Sequence, residues 1–218
     1  MSAQSALGAY RDDGPLAAGI SRVAGGRLRI DPALLTVAGI VPVAVVAALP
    51  GGGSRLALGA GVGWLILCVG ASAGLPLSSR MSWLIPPLLR ATEYALLLRL
   101  AVLADGALGL CYAFLAVVTF HHYDVVYRIR ARGAAPPAWL RLAGGGWDLR
   151  LLVAYCLFAA GGLAIGLAAG AVLLGGLFVA ESVRSWLPGS GQHLQQTRTR
   201  NGRPEQSALY QDDEADDE

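Results

Sequence analysis

Long apolar runs separated by short polar segments constrain the fold of this sequence more than any other feature. A helix that crosses a bilayer needs about 20 mostly apolar residues, within a range of roughly 17–25. Residues 33–49 and 56–75 supply two such runs without a charged side chain. Only 15% of the chain is charged and its mean hydropathy is +0.52, whereas soluble proteins average about 25% charged residues. The sequence therefore predicts an all-α, polytopic membrane protein.

Two further spans are predicted in the middle of the chain. The third is expected to begin near Leu88, because the pair Pro86-Pro87 should break a helix and place the residues before it at the membrane interface. The fourth runs from residue 107 to about residue 128. Unlike the first two spans, both contain ionisable side chains.

The last apolar stretch, residues 149–187, follows a loop at residues 130–148 that is rich in Pro, Gly and Arg. As one straight helix this stretch would be about 58 Å long at 1.5 Å per residue. That length is roughly twice the thickness of the hydrocarbon layer. Two antiparallel spans that turn within residues 161–166 fit better, so we expect about six transmembrane helices.

The arginines test this arrangement independently, because the cytoplasmic loops of membrane proteins collect basic residues. With six spans, nearly all arginines outside the apolar runs fall on one side, and only Arg55 lies in an opposite loop. With five spans, the C-terminal arginines would fall on the opposite side. We therefore expect a six-helix bundle in the plasma membrane with both termini in the cytoplasm.

These patterns divide the chain into three regions. Residues 1–31 form a cytoplasmic N-terminal segment, residues 32–187 form the transmembrane domain, and residues 188–218 form an acidic tail that should be disordered. Clusters of small residues, such as those at 59–63 and 159–162, let helices approach closely in lipid. That packing can occur within one chain or between two copies, so a homodimer stays open.

Ionisable side chains inside the spans each cost about 2.5–3.5 kcal/mol on insertion, so each should have a partner or a function. The alternating topology brings those of four spans to the cytoplasmic side, where we expect them to line one polar cavity. The predicted cavity residues are Glu93, His121, His122, Asp124, Asp148 and Glu181.

One interpretation of these residues is purely structural. Side chains three or four residues apart share a helix face, so opposite charges at that spacing can pair and lower the cost of insertion. The pairs would be Arg90 with Glu93, Asp124 with Arg128, and Glu181 with Arg184.

The other interpretation assigns a ligand. Guanidinium groups bind phosphate through two parallel hydrogen bonds, so Arg90, Arg128 and Arg150 are predicted to bind the phosphate of an anionic lipid head group, and no nucleic acid is expected. Carboxylates beside histidines are also ligands for a divalent cation, here Mg²⁺ or Mn²⁺. If the protein is an enzyme, His121 and Asp124 are the candidate catalytic residues.

Several stretches together resemble a known family. They are YRDDGPLA at 10–17, WLIPPLLRATEY at 83–94, FHHYDVVYRIRARGAAPPAWL at 120–140, GGWDLRLL at 145–152 and FVAESVRSW at 178–186. In this order they are similar to an actinobacterial integral-membrane domain of unknown function that is often fused behind CDP-alcohol phosphotransferases. The phosphotransferase signature itself is missing from this chain, so its metal-binding role is carried over to no residue.

The resemblance implies an association with the synthesis of lipid head groups, with a CDP-alcohol phosphotransferase as partner. Our leading hypothesis is an accessory protein in phospholipid or inositol-phosphate lipid synthesis, with a phosphate pocket that faces the cytoplasm. The second hypothesis is a membrane-embedded phosphoryl or head-group transferase, and the third is a small transporter.

Overall fold

The fold is all-α. A computed structural model describes residues 3–24, 30–50, 54–77, 79–132 and 137–186, and within these ranges it contains helices and no β-strand. The helices are α1 (Ala3–Arg11), α2 (Pro15–Ala24), α3 (Pro32–Ala48), α4 (Arg55–Ser72), α5 (Ile85–Leu103), α6 (Leu108–Arg132), α7 (Ala138–Ala143), α8 (Gly146–Ala159) and α9 (Leu163–Trp186). A single 3₁₀ turn, Ser82–Leu84, precedes α5.

Four stretches in the described ranges are long and apolar enough to cross a membrane by length and composition: residues 55–72, 108–131, 139–159 and 163–186. Helix α3 is equally apolar but shorter, and α5 carries Arg90, Glu93 and Arg99. The predicted fold class, a bundle of membrane-compatible helices, is therefore confirmed. Each of the six predicted spans coincides with one helix, namely α3, α4, α5, α6, α8 or α9.

The predicted start of the third span was wrong. Helix α5 begins at Ile85 and contains Pro86 and Pro87 in its first turn. The backbone N–H groups of a first turn have no partner within the helix, so a proline there removes no hydrogen bond. The proline pair starts this helix where we expected it to interrupt one.

The segment after the fourth span also differs from the expectation of a loop at 130–148. Helix α6 continues to Arg132, and α7 forms a short helix before α8 begins at Gly146. The turn between the last two helices was predicted correctly, since Gly161 adopts the left-handed conformation (φ 77°) directly after α8. Glycine adopts this conformation without the steric cost that a side chain brings.

The chain divides into two compact units, residues 1–176 and 177–218. Within the second unit only the last turns of α9 belong to the described residues. The predicted disordered tail, residues 188–218, lies outside them.

The N-terminal segment is built into the first unit. Helix α1 packs on α5 and α6, and α2 packs on α4 and α8. Ala17 of α2 is fully buried and belongs to the main hydrophobic core. The segment preceding the first span is therefore part of the bundle.

Helices α3 and α4 form a close pair because glycines lie at their interface. A Cβ atom on Gly61 would lie 3.0 Å from Val43 Cγ2 and 3.2 Å from Val43 Cα. A Cβ atom on Gly39 would lie 3.1 Å from Cys68 Cβ. Trp64 Nε1 adds a hydrogen bond of 2.9 Å to the carbonyl oxygen of Ala38 across the same interface.

We predict that Gly61→Leu lowers the free energy of unfolding by about 1–3 kcal/mol, because the larger side chain would force α3 and α4 apart. Gly63→Leu is the matched control, since no atom lies within 4 Å of a Cβ placed there. Denaturant titration of both variants in detergent micelles measures the difference. Equal stabilities would contradict a close α3–α4 contact.

Candidate functional site

A cluster of buried charges joins the N-terminal segment to three helices of the bundle. Asp12 lies between α1 and α2, and its carboxylate atom Oδ2 accepts a hydrogen bond of 2.9 Å from Arg150 Nη2 on α8. The same oxygen lies 3.7 Å from Arg90 Nη2 on α5 and 3.3 Å from His122 Nε2 on α6. One carboxylate oxygen thus contacts side chains from three helices.

Glu93 completes this cluster, which we call the Asp12 cluster: Asp12, Arg90, Glu93, His122 and Arg150. Glu93 is fully buried, and it accepts hydrogen bonds of 2.7 Å from Arg150 Nε and of 2.7 Å from Arg90 Nη1. Two carboxylates therefore face two guanidinium groups. Buried charges are tolerated when they are paired and hydrogen-bonded in this way.

Further hydrogen bonds fix the segment around Asp12. Arg90 Nη2 donates to the carbonyl oxygens of Tyr10 and Arg11 at 3.1 and 2.8 Å. Trp147 Nε1 donates to Asp13 Oδ1 at 3.0 Å. Arg11 Nε lies 2.9 Å from Asp13 Oδ2, and Arg11 Nη2 reaches the carbonyl oxygen of Val69 at 3.1 Å. The carboxylates of Asp12 and Asp13 are thus paired with other side chains of this protein.

Asp148, which was predicted to line the polar cavity, caps a helix in the structure. Its carboxylate accepts hydrogen bonds of 2.7 Å from the backbone N–H groups of Gly14 and Ala17, and so caps the N-terminus of α2 from a neighbouring helix. Gly146 adopts a positive φ of 63°, and a Cβ atom there would overlap the backbone of Gly14. Gly146, the first residue of α8, therefore allows this close backbone contact.

The electrostatic environment of Asp12 favours its ionised form. Burial opposes ionisation, but Arg150, the hydrogen bond from His122 and the nearby Arg90 together hold the pKa of Asp12 well below its usual range. Asp12 therefore stays a carboxylate throughout the physiological pH range.

A cavity of about 840 Å³ opens beside the cluster, between the N-terminal helices and α6 and α7. Asp12 and Asp13 lie on its wall with their partners already described, and His121 of α6 also lines it. Two arginines face the same space, Arg22 of α2 and Arg141 of α7. Within the described ranges neither has a carboxylate partner. We call this space the arginine cavity.

The structure brings together some of the predicted site residues. Arg90, Glu93, His122 and Arg150 meet in the Asp12 cluster, which brings together polar residues of α5, α6 and α8. Of the predicted pairs within one helix, Arg90–Glu93 is present at 2.7 Å. Arg90 and Arg150 contact carboxylates of the chain, and their assignment as phosphate ligands stays a prediction.

The candidates on α6 lie in two different places. His121, a candidate catalytic residue, lines the arginine cavity and is 3% exposed. Asp124, the second candidate, forms the predicted ion pair with Arg128 at 2.6 Å one turn further along the helix. Glu181 and Arg184 lie in the second unit, on the last turns of α9.

Sequence reasoning missed Asp12, Asp13, Arg22 and Arg141. The stretch YRDDGP at residues 10–15 carried a signal, because two adjacent carboxylates beside an arginine and a proline are unusual for a plain solvated segment. Arg22 and Arg141 were counted only as evidence for the topology. In the described part of the chain, no group of three or more His, Cys, Asp or Glu side chains is arranged to hold a metal ion.

Comparison with known proteins assigns a family. The model of a family described as a family of unknown function (DUF5941) matches residues 1–201. The chain belongs to this family, which confirms the resemblance to a domain of unknown function. No curated protein and no solved structure matches the chain.

We predict that Asp12→Asn lowers the free energy of unfolding by roughly 3–5 kcal/mol, because it leaves Arg90 and Arg150 with the single carboxylate of Glu93 between them and one buried positive charge uncompensated. Asn tolerates the left-handed backbone (φ 52°) that Asp12 adopts, so the substitution tests the charge and not the turn. Asp105→Asn, at an exposed turn, is the matched control. Denaturant titration at pH 7 measures both variants, and equal stabilities would contradict the role of Asp12.

We also predict that this difference shrinks in acid. The pKa of Asp12 is lowered from its ordinary value of 3.8, so its contribution is complete well above pH 3.8 and is lost as the pH falls towards the lowered value. At pH 3 the stability gap between the protein with Asp12 and its Asp12→Asn variant should be narrower than at pH 7 by about 1 kcal/mol. Because His122 also titrates, both proteins should carry His122→Gln. A gap that does not change with pH would contradict the lowered pKa.

Proposed function

We propose that this member of a family of unknown function is a multi-pass protein of the plasma membrane that binds a phosphate-bearing head group in the arginine cavity. Its role would be that of an accessory protein in phospholipid or inositol-phosphate lipid synthesis, with both termini in the cytoplasm. The observation that carries the proposal is the presence of Arg22 and Arg141, without carboxylate partners among the described residues, on the wall of a cavity of about 840 Å³.

The balance of charge supports an anionic ligand. Asp13 is held by Arg11 and Trp147, and Asp12 is held within its cluster, so the carboxylates at the cavity wall are already satisfied. The charges of Arg22 and Arg141 are left for a ligand. Guanidinium groups bind phosphate in a planar, bidentate geometry.

The position of the two arginines also suits a phosphate group. Arg22 lies on α2 and Arg141 lies on α7, so they approach the cavity from two separate elements. Arg22 is exposed and Arg141 is half-buried, and both can therefore keep a hydrated charge until a ligand arrives. An unoccupied site of this kind costs little, unlike a fully buried, unpaired guanidinium.

The link to lipid synthesis rests on the resemblance to domains that are fused behind CDP-alcohol phosphotransferases. Such an enzyme handles phosphate-bearing head groups at a membrane, and it is the partner that we propose. A protein that holds a head group beside the membrane would place it within reach of that enzyme.

We predict that Arg22→Gln and Arg141→Gln each weaken the binding of sn-glycerol 3-phosphate by about tenfold or more, because a charge-assisted hydrogen bond contributes roughly 1.5–3 kcal/mol. Arg130→Gln is the matched control, since it removes an exposed arginine of α6 that does not line the cavity. Phosphorus NMR titration of purified protein in micelles measures the affinity. Variants that bind as well as the control would overturn the proposed site.

A further inference from the structure

A second cavity lies on the other side of the Asp12 cluster. It has a volume of about 360 Å³ and lies between α1, α5 and α6. Most of its wall is hydrocarbon, with Leu7 of α1, Pro86 and Pro87 of α5, and Val126 of α6. We call this space the apolar cavity.

The charged groups and the histidine that line the apolar cavity are already paired. Arg90 and His122 both line it, but Arg90 bonds to Glu93 at 2.7 Å. His122 lies 2.9 Å from the hydroxyl of Tyr94 and 3.3 Å from Asp12. These groups therefore offer no free charge to a polar ligand. A ligand in this cavity would contact mainly its hydrocarbon wall.

The two cavities adjoin each other. Ala9, Asp12 and Val125 line both of them, so the two spaces meet at these three residues. The space on one side presents two guanidinium groups, and the space on the other side presents hydrocarbon. A ligand that occupied both would need one anionic end and one apolar end.

The outer end of the apolar cavity has the character of a membrane interface. Trp83, in the 3₁₀ turn before α5, lines it and is 62% exposed. Tryptophan is enriched at the boundary between head groups and hydrocarbon. The cavity is therefore expected to open at the level of the lipid head groups.

From this arrangement we infer that the ligand is an amphiphile, a lipid with a phosphate head group and a hydrocarbon tail, and not a water-soluble phosphate. The inference rests on the proposed function, since the head group binds at Arg22 and Arg141. The tail lies in the apolar cavity along Val126 and the two prolines of α5. The tail contacts the hydrocarbon wall of this cavity, a contact that a soluble phosphate cannot make.

The test uses dodecyl phosphate with a photoreactive diazirine at the end of its tail, added to the full-length protein in nanodiscs. After irradiation, mass spectrometry locates the labelled residues. We expect labelling at residues 83–87 and at Val126, and at least fivefold less of it in Arg22→Gln and Arg141→Gln proteins. Labelling confined to the outward-facing residues of α3 and α9 would overturn the inference.

A second variant tests the cavity itself. Val126→Trp fills the apolar cavity, whereas Val102→Trp, on a residue of α5 that is 59% exposed and does not line it, is the control. We expect the amount of labelling at residues 83–87 to be at least fivefold lower in Val126→Trp than in the protein with Val126. The affinity of the variant for sn-glycerol 3-phosphate should be unchanged. Retained affinity for that probe also reports that the variant is folded.

The outcomes separate the two proposals. If sn-glycerol 3-phosphate binding depends on Arg22 and Arg141 but the tail labels no residue of the apolar cavity, the amphiphile inference is wrong and the phosphate site stands. If neither probe depends on the two arginines, the proposed function is wrong, and the amphiphile inference is overturned with it.

Discussion

The Asp12 carboxylate is the contact on which the arrangement of this bundle depends. It faces guanidinium groups from two helices and an imidazole from a third. Without it, Arg90 and Arg150 would share one buried carboxylate, that of Glu93, and one positive charge would lie uncompensated inside the bundle. Uncompensated buried charge costs several kcal/mol, so the N-terminal segment is required to make the interior neutral.

The Asp12 cluster has balanced charges, and its arginines therefore differ in role from Arg22 and Arg141. Those of the Asp12 cluster hold helices together, and their charge is used within the chain. Arg22 and Arg141 lie on the wall of an open cavity, where their charge is available to a ligand. A cluster that is neutral in itself can also form the floor of an apolar cavity, because it presents no net charge to hydrocarbon.

Close backbone contacts make the same arrangement possible. The N-terminus of α2 meets the start of α8, where Gly14 and Gly146 touch and Asp148 caps α2. A side chain on either glycine would separate the two helices. Asp148 would then lose its hydrogen bonds from the backbone N–H groups of Gly14 and Ala17. The position of Asp12, only two residues before Gly14, depends on this contact.

The fold class and the positions of the long helices followed from the amino-acid sequence alone, because the length of an apolar run and the glycines that bound it are local properties of the chain. The pairs Arg90–Glu93 and Asp124–Arg128 belonged to one of two interpretations of the sequence, and both are present in the structure, since spacing along one helix decides which side chains are neighbours. The start of α5 was missed because the same proline pair that breaks a helix interior is compatible with a first turn. Three contacts became visible only in the folded chain: Asp12 joins α5, α6 and α8, Asp148 caps α2, and Arg22 and Arg141 face one cavity. These contacts link residues more than a hundred positions apart in several cases, and no local pattern specifies which distant partner a charged side chain will meet.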